Sequence, residues 1–503
     1  MNPADKTPNN RFTEPTHNRY PYVWASFGGL VPQTGAFSNR VHSPEPSNPQ
    51  SIIAHSQGGG IQAASTEGKE KSEANKMPVE LSVIVLTNNR PERCLDSVRK
   101  NAEALQGIQA EILVINNGRQ EVSLPEHLGD IPCRLIQMPC NLGAVARNAG
   151  LKASTGPFVL VLDDDAYIDP GLGQAMIDLF KADAGVGAAA FRILNGQNEE
   201  ACLLPTVFHG CACGFRRSAL EEIGGYPDGY LYYGEEYDLS FRLYQAGYRI
   251  ALCNHGRMVH HVRDGGGRNT GHILRLLIRN NIYLWFAFFP WNAIWPALID
   301  TLQRYFLVAV KEEALQGFRA GLAAIPSAIW RGLRHRRPLS RELLGHIALL
   351  TPLQSVCDEL RRRNIREIVL CGVGKFPSLW LQELKRRGIR VQAIWDFNSC
   401  WKGRRIGGIA VDVIDQASQP LPAHCHFITG TASLADNLRW KNYFEALLPT
   451  DGAAPLSEEL FAATGIFDLH HMSPIQIVFP NKSRADESKR RMASPLLPCM
   501  AAE

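Results

Sequence analysis

From position 80 onward, short apolar runs alternate with stretches of helical periodicity. Residues 81–86 (LSVIVL) are rich in β-branched side chains and read as a buried strand. Residues 91–105 follow, with a proline in a plausible first helical turn and apolar positions at helical spacing. The pattern then repeats. Residues 110–116 (AEILVIN) and 133–138 (CRLIQM) read as strands, 143–154 as a helix, and 157–162 (PFVLVL) as a fourth strand. Strands alternating with helices predict a mainly parallel α/β sheet covered on both faces. Ligands of such sheets bind beyond the carboxyl ends of the strands. The polar residues at 87–90, 116–118 and 163–165 all fall on that rim.

Other stretches read differently. Residues 281–299 (NIYLWFAFFPWNAIWPALI) carry no charge and nearly reach the ~20 residues of a membrane span. Pro290 and Pro296 interrupt them, so a clean spanning helix is not expected. Basic residues follow at Arg331, Arg334, Arg336, Arg337 and Arg341. Two readings stand equal: a segment lying in a membrane interface, or a buried helical pair packed on the preceding domain. Near position 354 a second αβ unit begins. Residues 366–376 run into a G-x-G turn at Gly372 and Gly374, 377–388 are helical, and 389–396 form a strand ending in Asp396. That order is Rossmann-like, but Pro377 stands where a third glycine belongs, so a structural unit without a dinucleotide is expected. The expected partition is a disordered extension over 1–76, a catalytic domain over 77–280 and a helical segment over 281–352. A Rossmann-like α/β domain over 353–450 and a poorly ordered tail over 451–503 complete it.

Composition narrows the class. A chain of 503 residues suggests about three units, and 45% hydrophobic with 20% charged residues is ordinary for a globular protein. A net charge of +4 is small for this length and argues against a dedicated nucleic-acid binder. The twelve cysteines are scattered, and the closest pair, Cys211 and Cys213, lacks zinc spacing. Each is expected to be small core filler, with reduced thiols and a cytoplasmic location. Asp163, Asp164 and Asp165 are harder to place, because adjacent carboxylates repel. A divalent cation would hold them. A solvated loop or helix cap is the competing reading, and the strand context weakens it.

The segments SVIVLTNNRPERCLDSV, VINNG, NLGAVARNAG, VLDDDA, GGY and GEEYDLSFRLYQAGY occur in the order of a family two glycosyltransferase with a GT-A fold, of the bacterial rhamnosyltransferase-like kind. The resemblance covers residues 81–281. It implies an α/β fold whose GT-A sheet is mixed and binds a nucleotide-sugar, with the aromatic helical extension and the second α/β domain beyond it. It implies an inverting transfer from a nucleotide-sugar donor to a glycan or lipid-linked acceptor, assisted by Mg2+ or Mn2+, in cell-surface polysaccharide biosynthesis. Contact with the inner face of the plasma membrane is a further expectation. Asp163 and Asp165 resemble the outer acids of the family's D-x-D motif and would ligate the metal. His260, with His261 as second choice, would add a ligand. A plain pair of surface or core histidines is the alternative. Thr87, Asn89, Arg90, Asn116, Arg147, Asn148, Asp163 and Asp164 would line the donor. Glu236 takes the position of the general base, with Glu235 and Asp238 orienting or binding the acceptor. The acids of that segment also suit a helix N-terminus, and both roles are compatible. Residues 210–227 would shape the acceptor pocket, and Arg279 with Asn280 resembles an R-N pair of bacterial relatives. A catalytically silent nucleotide-sugar-binding or scaffold protein is the rival reading.

Overall fold

A computed structural model describes residues 78–196, 198–261, 269–362 and 364–414, together with 427–428, 436, 439–440 and 443. The expectations for 1–76 and 451–503 lie outside the described residues. The first unit is built on β1 (Leu81–Thr87), α1 (Pro91–Ala104), β2 (Ala110–Asn116), β3 (His127–Leu128), β4 (Ile131–Gln137), α2 (Arg147–Ala153), β5 (Phe158–Asp163) and β6 (Ala166–Ile168). It continues through α3 (Leu172–Ala182), β7 (Val186–Asn195), β8 (Asn198–Glu200), β9 (Ala212–Arg216), α4 (Arg217–Glu222), α5 (Glu235–Gln245) and β10 (Arg249–His260).

These strands form one sheet in the order β3-β4-β2-β1-β5-β9-β7-β10-β6, with β8 on β7. Strands β4, β2, β1 and β5 are parallel, as the alternating pattern predicts. Beyond β5 the sheet is mixed, because β9 runs antiparallel between β5 and β7, and β6 antiparallel to β10. Alternate positions of β1 serve two cores. Val83 and Val85 pack with α1 and α3, while Ile84 and Leu86 join the helices that follow β10. Register fixes the rim: Thr87 pairs with Asn116, and Leu86 with Asp163. The antiparallel pairing of His260 with Ala166 brings the end of β10 beside Asp165.

Six helices follow: α6 (Thr270–Phe288), α7 (Trp291–Lys311), α8 (Leu315–Ala323), α9 (Ile325–Arg334), α10 (Arg341–Ile347) and α11 (Leu350–Arg362). The aromatic segment is therefore broken at Phe289-Pro290, with Pro296 inside the second helix. From Asn281 to Phe289 every residue is buried, which answers to the buried-pair reading for that half. Among the described residues no helix is long and apolar enough to cross a membrane.

A second sheet, ordered β13-β14-β12-β11-β15, closes the chain. Its strands are β11 (Glu367–Cys371), β12 (Arg390–Asp396), β13 (Arg405–Ile406), β14 (Ile409–Val413) and β15 (Phe427–Ile428), with α12 (Pro377–Arg386) after β11. The turn from β11 into α12 has the form of a phosphate cradle. An anion already occupies it, supplied by the chain itself. Asp300 of α7 accepts the Ser378 amide at 3.0 Å and the Ser378 hydroxyl at 2.5 Å. Asp396 accepts the Val373 amide at 2.8 Å. Arg304 donates to the Gly374 carbonyl. The helix N-terminus thus binds one unit to the other. Asp300→Ala removes the acceptor of both partly buried Ser378 donors and is expected to cost about 1 kcal/mol, read as a lowered denaturant midpoint.

Candidate functional site

The rim carries three acids at the end of β5, each held differently. Asp163, a third exposed, receives Arg147 Nη2 at 2.5 Å. Asp164 is fully buried and accepts the Thr87 hydroxyl at 2.7 Å. Arg90 Nη2 stands 2.7 Å from Asp164 Oδ1, yet that oxygen makes no hydrogen bond among the described residues. Burial pushes the Asp164 carboxyl up to about 7, against the pull of Arg90. Asp165 goes the other way. Burial opposes its charge, but His260, Arg90 and Arg93 outweigh that and hold it at about 2. Arg90 Nη1 is 3.1 Å and Arg93 Nη1 3.4 Å from Asp165 Oδ2.

His260 faces Asp165 Oδ1 through Nε2 at 3.3 Å, while its Nδ1 meets Glu200 Oε2 at 2.6 Å. A carboxylate behind a histidine fixes the ring and its tautomer, as behind many metal-bound imidazoles. Donor atoms of Asp163, Asp165 and His260 all lie within 4.8 Å of one another. Two carboxylates and an imidazole suit a divalent cation of the Mg2+ or Mn2+ class. The residues present therefore fit the metal.

The acid segment opens α5. Gly234 at φ +99° makes the turn that a residue with a Cβ would strain, and its amide donates to Glu236 Oε2 at 2.9 Å. The loop before it is pinned by the R-N pair. Asn280 Nδ2 donates to the carbonyls of Tyr230, Tyr232 and Tyr233, and Arg279 to those of Gly229 and Tyr230. Glu235 lies 3.8 Å from Arg147 Nη1, so one buried guanidinium spans the Asp163 end of β5 and the start of α5. Burial and the neighbouring Glu236 raise the Glu235 carboxyl to about 8. Its Oε2 has no hydrogen-bond partner among the described residues.

Several expected ligand contacts are replaced by contacts within the chain. Asp238 is fully buried, accepts Tyr230 Oη at 2.9 Å and pairs with Arg242, so it braces α5. Asn116 is 1% exposed and spends both amide hydrogens on Gln120 O and Gln137 Oε1. Asn148 brackets the Tyr226 backbone from both sides, at 2.9 and 2.8 Å. Thr87 gives its hydroxyl to Asp164, and Asn89 Oδ1 caps the amides of Arg119 and Gln120. Arg90 is the expected donor-side residue that keeps a partly exposed cation on the rim, at 40%. Arg93, Glu200, His209 and Cys211 join the site without having been expected. Cys211 in particular is no filler: its Sγ is 3.1 Å from His209 Nδ1. Burial raises that thiol, and the imidazoles of His209 and His260 more than reverse the effect. The sequence signal was His209 two residues before Cys211, but their partners come from β8 and β10.

The family model for Glycosyl transferase family 2 matches residues 82–206. Over this segment the chain is similar to glycosyltransferase family 2. It is 31% identical over 98 residues to the uncharacterized glycosyltransferase YwdF of Bacillus subtilis (strain 168), covering 18% of this chain and 35% of that protein. It is 29% identical over 194 residues to the pre-mycofactocin glycosyltransferase of Mycobacterium tuberculosis (strain CDC 1551 / Oshkosh), covering 33% and 39%. The chain thus spans just over a third of the length of the curated relatives it matches. Among solved structures, S. aureus TarS 1-349 in complex with UDP-GlcNAc aligns at 16% identity and a TM-score of 0.37, covering 57% of this chain and 93% of that one.

The family 2 match ends before α5 and β10, so the acid segment and His260 enter on geometry. One further contact ties them to the second unit. Lys375, from the turn after β11, is buried, donates to Asn281 Oδ1 at 2.9 Å and lies 4.5 Å from the centre of the Tyr237 ring. Burial and the Arg304 charge lower its ammonium from 10.5 to about 7, with Glu236 opposing them. The sign follows. Below about 7 both folded and unfolded chains carry the proton, and between about 7 and 10.5 the unfolded chain holds more of it. The Lys375 contribution to stability is therefore expected to rise with pH across that window. Denaturant midpoints collected through it should rise less steeply in Lys375→Met than in the unaltered chain.

Proposed function

We propose that the chain is an inverting, metal-dependent glycosyltransferase that moves a sugar from a nucleotide-sugar donor to a hydroxyl of a glycan or lipid-linked acceptor. The observation that carries this reading is the convergence of Asp163, Asp165 and His260 at the strand ends, joined through Arg147 to the acids that open α5. A metal of the Mg2+ or Mn2+ class, when bound there, neutralises charge on the diphosphate. Arg90 adds a cation on the same rim. Glu236, facing Gly210 from the first turn of α5, takes the acceptor proton as the acceptor oxygen forms its bond to the anomeric carbon. The bond to the diphosphate oxygen breaks in the same displacement, and the leaving group keeps the electron pair. Glu235, with its raised carboxyl and bare oxygen, is the competing base.

The test is a donor screen with the purified full chain, scored as nucleotide release with and without Mn2+. One nucleotide-sugar should be consumed, and only with the metal. Glu236→Gln should then lower kcat by ~10²–10⁴ with donor binding little changed. Near-normal kcat in that variant moves the base to Glu235. Donor binding without release by the unaltered chain would instead mark a silent nucleotide-sugar-binding protein.

The lipid-side acceptor finds support on the far face of α7. Trp291, Trp295 and Ile299 recur every fourth residue and are 61%, 66% and 56% exposed, with Trp330 of α9 at 63%. The guanidinium of Arg336 lies 4.0 Å from the Trp291 ring and that of Arg334 5.4 Å from Trp330. Amphipathic tryptophans flanked by arginine suit an anionic lipid surface. The chain should sediment with vesicles containing phosphatidylglycerol, and Trp295→Ala with Trp330→Ala should weaken this roughly tenfold or more. No sedimentation at low salt would remove the membrane contact and leave the transferase reading standing.

A further inference from the structure

Beside the hard-ligand site lies a second set of donors that the transfer step does not use. Glu200 ends β8, His209 stands in the loop before β9, and Cys211 immediately precedes β9. Their donor atoms are all within 4.8 Å of one another. Cys211 is 3% exposed and the Glu200 side chain 9%, so two of the three have left water. The Cys211 backbone amide donates to His209 Nδ1 at 3.3 Å. An amide can only donate, so Nδ1 is unprotonated, and an ion would have to take its single lone pair over from that amide.

We propose that Glu200, His209 and Cys211 form a site for a borderline-soft divalent cation of the zinc class, adjoining the site at Asp163, Asp165 and His260. Sulfur, imidazole nitrogen and a carboxylate are the three donor types zinc takes, and three protein ligands leave a fourth position open. Thiolate sulfur selects against Mg2+ and Mn2+, which the neighbouring oxygen-rich site suits better. Tetrahedral zinc places nitrogen and sulfur ligands roughly 3.5 Å apart. The Nδ1 to Sγ distance of 3.1 Å must therefore open a little. Binding releases the thiol proton to solvent. One thiolate and one carboxylate then balance the ion's two charges, so the filled site is neutral. Glu200 belongs to both sites, because its Oε2 also holds His260 Nδ1. An ion that draws on Glu200 therefore loosens the carboxylate that orients His260.

The experiment is a Co2+ titration of the full chain, first stripped with chelator and kept reduced by a reductant that binds no metal. A thiolate-to-cobalt charge-transfer absorption should appear and saturate near one equivalent. Zinc should bleach it, and excess Mg2+ should not. Cys211→Ser should abolish the band. His209→Gln should weaken Co2+ binding by roughly tenfold or more. Asp165→Asn, which cripples the other site, should leave the band in place. Absence of the band in the unaltered chain, or its persistence in Cys211→Ser, overturns the proposal. If Cys211→Ser does not fold, undiminished Co2+ affinity in His209→Gln overturns it equally. None of these readouts depends on nucleotide release, so failure here is separable from failure of the transferase reading.

Discussion

Arg147 is buried between two acids that would otherwise repel each other across the end of the sheet. Asp163 closes β5 and Glu235 opens α5, and the guanidinium reaches both while stacking 5.4 Å from the Tyr226 ring. Burial opposes its charge, and the flanking Asp163 and Glu235 restore it. Removing such a cation would leave uncompensated carboxylates in a low-dielectric pocket, which is costly. Everything proposed for the site depends on this bridge. It joins the Asp163 end of β5 to the first residue of α5.

The remaining charges are divided on the same principle. Asp165, flanked by Arg90, Arg93 and His260, stays ionised to about pH 2. Asp164, one residue earlier, is pushed up to about 7 by burial. Adjacent acids on one turn thus take opposite protonation tendencies because one faces cations and the other faces the core. The central aspartate serves as an anchor for Thr87 and Arg90, while Asp163 meets Arg147 and Asp165 meets Arg90, Arg93 and His260.

The second sheet is joined to the first unit by polar groups as well as by packing. Asp300 fills the helix N-terminus that a dinucleotide phosphate would need, and Lys375 reaches back under α5. An intramolecular carboxylate in that place converts a ligand-binding turn into a joint between units.

The sequence by itself determined the parallel half of the sheet, the rim on which its strands end, and the three aspartates delivered there. Those features are local: a buried strand is written in a run of apolar residues, and a strand end in the polar residues that follow it. Glu235 and Glu236 were indicated by the resemblance of GEEYDL to the family's acid segment, with an acidic first helical turn as the competing reading. What the sequence could not decide were contacts between residues far apart in the chain. Asn116 and Asp238 look like ligand-facing polar groups in one dimension, yet Gln137 and Tyr230 consume them in three. Cys211 looked like a core filler, and nothing local marked Glu200 or His209. Only the pairing of β8 with β7, β9 with β5 and β7, and β10 with β7 and β6 brings them to one place. Strand pairing across such separations depends on which faces must be buried together, and that is a property of the whole sheet, not of any stretch of sequence.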